Sequence, residues 1–333
     1  MIAHRLCAAP MMDWTDRHCR FFLRSVSPRA MLYTEMVTTG ALVHGDVPRH
    51  LDFNREEHPV ALQLGGSEPA DLAHCARLAE HWGYDEVNLN VGCPSERVQR
   101  GAFGACLMAE PALVADCVRA MREATKLPVT VKHRVGIDAV EEYEFVRSFV
   151  EQVSEAGCTT FIAHARNAVL KGLSPKENRE IPPLKYGYVH RLKKDFPHLT
   201  IVINGGITTL EEIEHQLEAV DGVMLGRAAY HDPWLLALAG GKLLGASAAS
   251  RGSVARAMHA YASRMIGSGG AHPVHLRHIT RHMLGLYHGH GRARAWRRLL
   301  SDAARLSEND PDLILEAVEV AEGRVPARET LAA

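Results

Sequence analysis

The chain of 333 residues lacks net charge: 38 Lys and Arg stand against 39 Asp and Glu, a formal balance of -1. That balance by itself selects no polyanionic partner. It also lacks any Cys-x-x-Cys pair among cysteines 7, 19, 75, 93, 106, 117 and 158. A zinc ribbon or a redox dithiol is therefore not expected, and neither is a bound metal. The N-terminus shows no basic segment followed by an apolar core, so no signal peptide is expected. An odd number of cysteines in that setting predicts reduced thiols and a cytoplasmic protein. No apolar run approaches the roughly 20 residues of a membrane span. No strand is followed by Gly-x-Gly-x-x-Gly, so a stored dinucleotide lacks its fingerprint. One further absence is local. From Pro233 to Ser301 there is no Asp or Glu, while Lys242 and nine arginines fall in the same interval.

Hydrophobic residues make up 47% of the chain and charged residues 23%, enough apolar mass for a packed core. Short apolar, often β-branched runs recur at 6–10, 31–35, 60–64, 87–91, 129–133, 159–164, 200–204 and 222–225. Helical patterns separate them. Asp13 or Thr15 is positioned to cap the first, and Ser67 the second; 111–124, 140–156, 184–196 and 208–218 follow. Eight such units predict parallel strands closed into a (β/α)8 TIM barrel. A doubly wound open sheet is the alternative topology. The division expected is a barrel over 1–238, a small-residue linker over 239–252 and an all-helical C-terminal domain over 253–333. Its helices are expected at 253–267, 272–288, 292–306 and 311–322. The acid-free interval lies mostly in that last domain and predicts a face that meets phosphates. His275, His278 and His282 share one face of the expected helix, but interleaved arginines speak against a metal site there.

In such a barrel the working groups stand at the carboxyl ends of the strands. Those ends carry Pro10 with Met11 and Met12, then Glu35, Gln63, Asn90 with Cys93, Lys132 with Arg134, and His164 with Arg166. The last two carry Asn204 with Gly205 and Gly206, and Gly226 with Arg227. Two consecutive glycine-bearing turns, the second with a cation, match the phosphate cradle of a barrel. That cradle with Gln63, Lys132 and His164 suits flavin mononucleotide (FMN). Gln63 would meet the polar edge of the ring. Lys132 would stand where reduction places negative charge. Met11 and Met12 would line the ring face.

The residues Leu89-Asn-Val-Gly-Cys-Pro-Ser95 and Arg97-Val-Gln-Arg-Gly-Ala-Phe-Gly-Ala-Cys-Leu-Met108 carry a resemblance. Lys132-His-Arg134, His164-Ala-Arg166, Gly172-Leu-Ser-Pro-Lys-Glu-Asn-Arg179 and Arg292-Ala-Arg-Ala-Trp-Arg-Arg298 extend it. Together they resemble the tRNA-dihydrouridine synthases over nearly the whole chain, most of all the A subfamily, which acts on uridines 20 and 20a of the tRNA D-loop. Val169 and His290 depart from its pattern, where an aromatic residue and a proline are expected. The resemblance implies FMN, and NADPH as a transient reductant. It implies hydride delivery to carbon 6 of a flipped uracil and protonation of carbon 5 by a thiol. Cys93 is the best-placed thiol and Cys106 the nearby competitor. An unperturbed cysteine, with a pKa of about 8.5, keeps its proton at neutral pH. Asn90 would hold the uracil edge. Arg134, Arg166, Lys176, Arg179, Arg292 and Arg294 are the candidates for contact with tRNA. The protein is expected to act as a monomer. The alternative is a flavin barrel that reduces a free pyrimidine or a small enone, which needs no basic helical domain.

Overall fold

A computed structural model describes residues 4–140, 142–268 and 273–324. In chain order the strands are β1 (Leu6–Ala8), β2 (Leu32–Tyr33), β3 (Val37–Thr38), β4 (Val60–Gly65), β5 (Glu86–Val91), β6 (Val129–Arg134), β7 (Thr160–His164), β8 (Thr200–Asn204) and β9 (Gly222–Leu225). All pair in parallel, in the order β1-β9-β8-β7-β6-β5-β4-β2. A bridge between Cys7 and Met31 joins the two ends and closes the ring. The closed eight-stranded barrel expected from the sequence is present. β3 is an addition, a short strand beside the end of β4.

The interior of the barrel has two characters. Cys7, Ala9, Met31, Tyr33, Ala61, Ile162, Val202 and Met224 form one packed apolar cluster. Glu86, Asn88 and Asn90 alternate along β5 with Val87, Leu89 and Val91, and all six are buried. Successive residues of a strand face opposite sides, so one face of β5 is wholly polar.

The chain divides into two compact units. One comprises Met1–Asp13 and Met31–Gly226; the other comprises Trp14–Ala30 and Arg227–Ala333. In the second unit Phe21 of the helix Arg17–Val26 stacks on Tyr261 at 4.0 Å between ring centroids. The Tyr261 hydroxyl meets His18 Nδ1 at 2.7 Å. That helix is capped by Asp16, whose carboxylate accepts the N–H groups of His18 and Cys19, not by Asp13 or Thr15. Nor does Ser67 cap the helix Pro69–Trp82, which starts at Glu68 with no side-chain cap.

One linker bound and two helical expectations for the C-terminal region are corrected. The stretch read as a linker from 239 is helical as far as Leu244. Gly240 is there for close packing: a Cβ at that position would lie 2.4 Å from Ser27 Oγ. Of 272–288, only Leu276–Thr280 is α-helical among the described residues. Gly285 approaches the carbonyls of Tyr230 and His231, and turns replace the helix from 281 onward. His282 consequently leaves the expected face and lies 3.1 Å from both Asp16 Oδ2 and the Tyr230 hydroxyl. The pattern over 292–306 breaks into Ala293–Leu300 and Ala303–Ser307 because Asp302 caps the second piece. No helix among the described residues is long and apolar enough to cross a membrane.

Candidate active site at the carboxyl ends of the strands

The register places the polar strand ends side by side. Gln63 pairs with Asn88, Asn90 with Lys132, Arg134 with His164, and His164 with Asn204. Cys93 follows on the turn after β5. Asn90 shapes that turn, since its Oδ1 accepts the N–H groups of Gly92 and Cys93 at 3.1 and 3.0 Å. Cys93 is partly exposed, with Sγ 3.6 Å from Ser95 Oγ. Its carbonyl accepts the Ala105 N–H. Gly104 fits there because its φ is 78° and a Cβ would stand 2.6 Å from the Cys93 oxygen. The competitor Cys106 donates to the Phe103 carbonyl at 3.1 Å, and burial pushes its thiol up.

Three cationic or imidazole side chains lie below this turn. Lys132 Nζ donates to Asn204 Oδ1 at 3.2 Å. Asn204 is itself oriented, because its amide nitrogen donates to the Met224 carbonyl at 2.8 Å. Desolvation, and next the Arg134 guanidinium, lower Lys132 to about 7, while Cys93 opposes the shift. His164 is held well below its ordinary value by burial first and then by Arg134, Lys132, Arg166 and Arg179, so its imidazole is neutral at pH 7. Arg134 is buried and brought to about 10, chiefly by desolvation. Its guanidinium donates to the carbonyls of Gly92, Asn167 and Asn178. No carboxylate is among the causes acting on Lys132, Arg134 or His164. Such a cluster is complementary to an electron-rich or anionic group.

The glycine turns after β8 and β9 differ in their surroundings. Gly205 and Gly206 have φ of 115° and 72°. A Cβ on Gly205 would meet His164 at 2.6 Å, and one on Gly206 would meet Leu184 at 2.6 Å. Above Gly226 there is open space within 4 Å, room that a side chain would fill. The next residue, Arg227, opens the first helix of the second unit after the barrel. From β1, which pairs with β9 in the closed ring, the chain runs into Pro10 and Met11, which are half-buried, and Met12, which is 55% exposed.

The remaining predicted residues divide by exposure. Gln63 is buried and committed at both ends of its amide, to Asn88 and to Asn90. Arg166 is half-buried and donates to the carbonyls of Glu180 and Pro182. Lys176 and Arg179 are exposed on the loop after β7. That loop is ordered by Asn178, whose amide holds both the N–H and the carbonyl of Val169. Gln99 ties it to the Cys93 turn by donating to the carbonyls of Pro94 and Leu170, each at 2.7 Å. In the second unit Arg292 and Arg294 are exposed, and Arg292 reaches the Val320 carbonyl. Sequence reasoning missed Asn88, Thr130 and Glu86. Their signal was available: polar residues at every second position of a strand inside a closed barrel.

Comparison with known proteins identifies the family. A family described as Dihydrouridine synthase matches residues 7–322. The chain is 57% identical to a tRNA-dihydrouridine(20/20a) synthase of Pseudomonas putida, over 97% of this chain and 95% of that one. It is 56% identical to the protein of the same name from Escherichia coli K12, over 95% of this chain and 91% of that one. Among solved structures, a morphinone reductase superposes with a TM-score of 0.51 at 12% identity, over 73% of this chain and 86% of that one, a likeness of fold alone. With a match that spans both units, the chain belongs to the dihydrouridine synthase family.

Proposed function

We propose that the protein is an FMN-dependent tRNA-dihydrouridine synthase that reduces uridines 20 and 20a of the D-loop. The observation that carries the reading is a partly exposed Cys93 on the turn after Asn90, with half-buried Lys132 as the strand neighbour of Asn90 and buried Arg134 donating to the Gly92 carbonyl of that turn. It is supported by relatives that bear this name and are covered over 95% and 91% of their own length. Bound FMN, reduced by NADPH, supplies the hydride for carbon 6 of the uracil. The chain supplies the rest. Cys93 Sγ holds the proton for carbon 5. Lys132 stabilises negative charge on the ring edge, and neutral His164 packs against the Gly205 turn. Gly205, Gly206, Gly226 and Arg227 receive the phosphate; Pro10, Met11 and Met12 border the ring. Arg166, Lys176 and Arg179, with Arg292 and Arg294 of the helical part, meet tRNA phosphates and offset the few kcal/mol that extraction of a base costs. In this reading the barrel is the catalytic part, and the protein works as a cytoplasmic monomer without a metal.

The test is direct. Purified protein is incubated with NADPH and tRNA from cells that lack dihydrouridine at these positions, and the modification is mapped by mass spectrometry. Dihydrouridine at 20 and 20a is expected. A flavin-loaded protein that leaves both uridines intact overturns the reading.

A further inference from the structure

The polar face of β5 belongs to a continuous column of hydrogen bonds inside the barrel. At the amino-terminal end of the strand, Glu86 is fully buried. Its Oε2 lies 2.6 Å from His4 Nε2, and its Oε1 accepts from the hydroxyls of Tyr33 at 3.1 Å and Thr130 at 2.6 Å. Thr130 Oγ1 accepts from Asn88 Nδ2 at 2.8 Å. Asn88 Oδ1 accepts from Gln63 Nε2 at 2.8 Å. Gln63 Oε1 accepts from Asn90 Nδ2 at 2.9 Å. Asn90 Oδ1 then accepts the two N–H groups of the Cys93 turn.

This column has one donor direction, and both ends dictate it. A carboxylate only accepts, so the single Thr130 proton points at Glu86 and a lone pair faces Asn88. Backbone N–H groups only donate, so Asn90 must turn its oxygen to Gly92 and Cys93 and its nitrogen to Gln63. Gln63 and Asn88 lie between two constraints that agree. Reversing either amide would set two donors or two acceptors face to face in a buried place, which is costly. Packing alone does not ask for the arrangement, because Cys7, Ala61, Ile162, Val202 and Met224 form an apolar cluster in the same barrel interior. A buried charge is a poor source of stability where apolar residues fit.

We propose that Glu86 and Thr130 are positioning residues: from the opposite end of the barrel they hold the amides of Asn88 and Gln63 in the one orientation that meets Asn90, and so support the posture of the Cys93 turn that Asn90 holds. The proposal rests on the reading of Cys93 as the proton donor for its meaning, but not for its test. Thr130→Val keeps the shape and removes the link. Thr130→Ser keeps the link. Glu86→Gln keeps the shape and supplies a donor where only an acceptor stood. Each variant is compared with the parent by circular dichroism, by the visible bands of bound flavin and by alkylation of Cys93 with iodoacetamide in the flavin-free protein, read by mass spectrometry.

Thr130→Val and Glu86→Gln are expected to keep native dichroism, shift the flavin bands and change the alkylation rate; Thr130→Ser restores both signals. Turnover on tRNA is expected to fall on the order of 10-fold to 100-fold in the first two, the scale of a misplacement near 1 Å. Native bands and a native alkylation rate in a folded Thr130→Val overturn the proposal, as does a Thr130→Ser that behaves like Thr130→Val. If Thr130→Val does not fold, Glu86→Gln decides on the same two signals. The alkylation rate involves neither tRNA nor turnover. Failure of the functional reading, seen as a Cys93→Ala that still makes dihydrouridine, therefore leaves this result standing.

Discussion

Cys93 and Lys132 divide the work expected of the site. A thiol that donates a proton to carbon is dispensable for binding, so Cys93→Ala should retain flavin and tRNA affinity while dihydrouridine formation falls on the order of 10²-fold or more. Full activity in that variant assigns the proton to another group. Lys132 gives a pH signature. In the free protein it titrates near 7, depressed by burial and then by Arg134. An electron-rich ring edge against it raises that value, so binding takes up a proton between pH 7 and the raised value. Flavin affinity should therefore fall as pH climbs through that window, and Lys132→Met should bind more weakly at pH 6 with the slope gone. Quenching of flavin fluorescence across pH measures both, and a flat profile for the parent removes Lys132 from the site. Lys132 was legible in sequence as a charge at a strand end. The commitment of Gln63 and Arg134 to protein partners was not, because it depends on β5 and on the loop after β7, which their own segments do not encode.

At the scale of elements, the strands were readable because alternation of apolar residues is local, and the eight expected segments all became strands. The same local rule overlooked the second face of β5, where alternation brings Glu86, Asn88 and Asn90 into the barrel. It also extended a helix through Gly285, where the close approach of the Tyr230 and His231 carbonyls goes with turns instead. The turn that carries Cys93 shows how narrow such requirements are. Gly104 has φ 78°, and a Cβ would press on Val98 Cγ1 at 2.4 Å and on the Cys93 oxygen at 2.6 Å. Gly104→Ala should therefore cost about 1–3 kcal/mol and displace the thiol. A lowered melting temperature together with reduced turnover is the expected result. A variant with parental stability and parental turnover shows that the turn tolerates the side chain.

For the whole molecule, the absence of acids from 233 to 301 was visible in sequence, whereas the interlacing of the two units along the chain was not. Residues 14–30 belong with the C-terminal helices, not with the barrel strands that flank them in sequence. Truncation is for that reason a poor probe of tRNA recognition. Deleting 245–333 removes Tyr261 from Phe21 and His18, and each large apolar side chain returned to water costs about 1.5–3 kcal/mol. Lost affinity in such a fragment would report lost structure. Charge removal on the intact chain separates the two. Arg294 is exposed, so Arg294→Ala should leave the melting temperature within about 1 °C, since surface changes cost under roughly 0.5 kcal/mol. If Arg294 contacts a phosphate, tRNA binding should weaken, and the slope of log affinity against log salt should drop by about 0.7–0.9. Binding measured by filter retention at several salt concentrations gives that slope directly. An unchanged slope places the contact elsewhere on the basic interval, and the same measurement on Arg298→Ala, exposed on the same helix, then locates it.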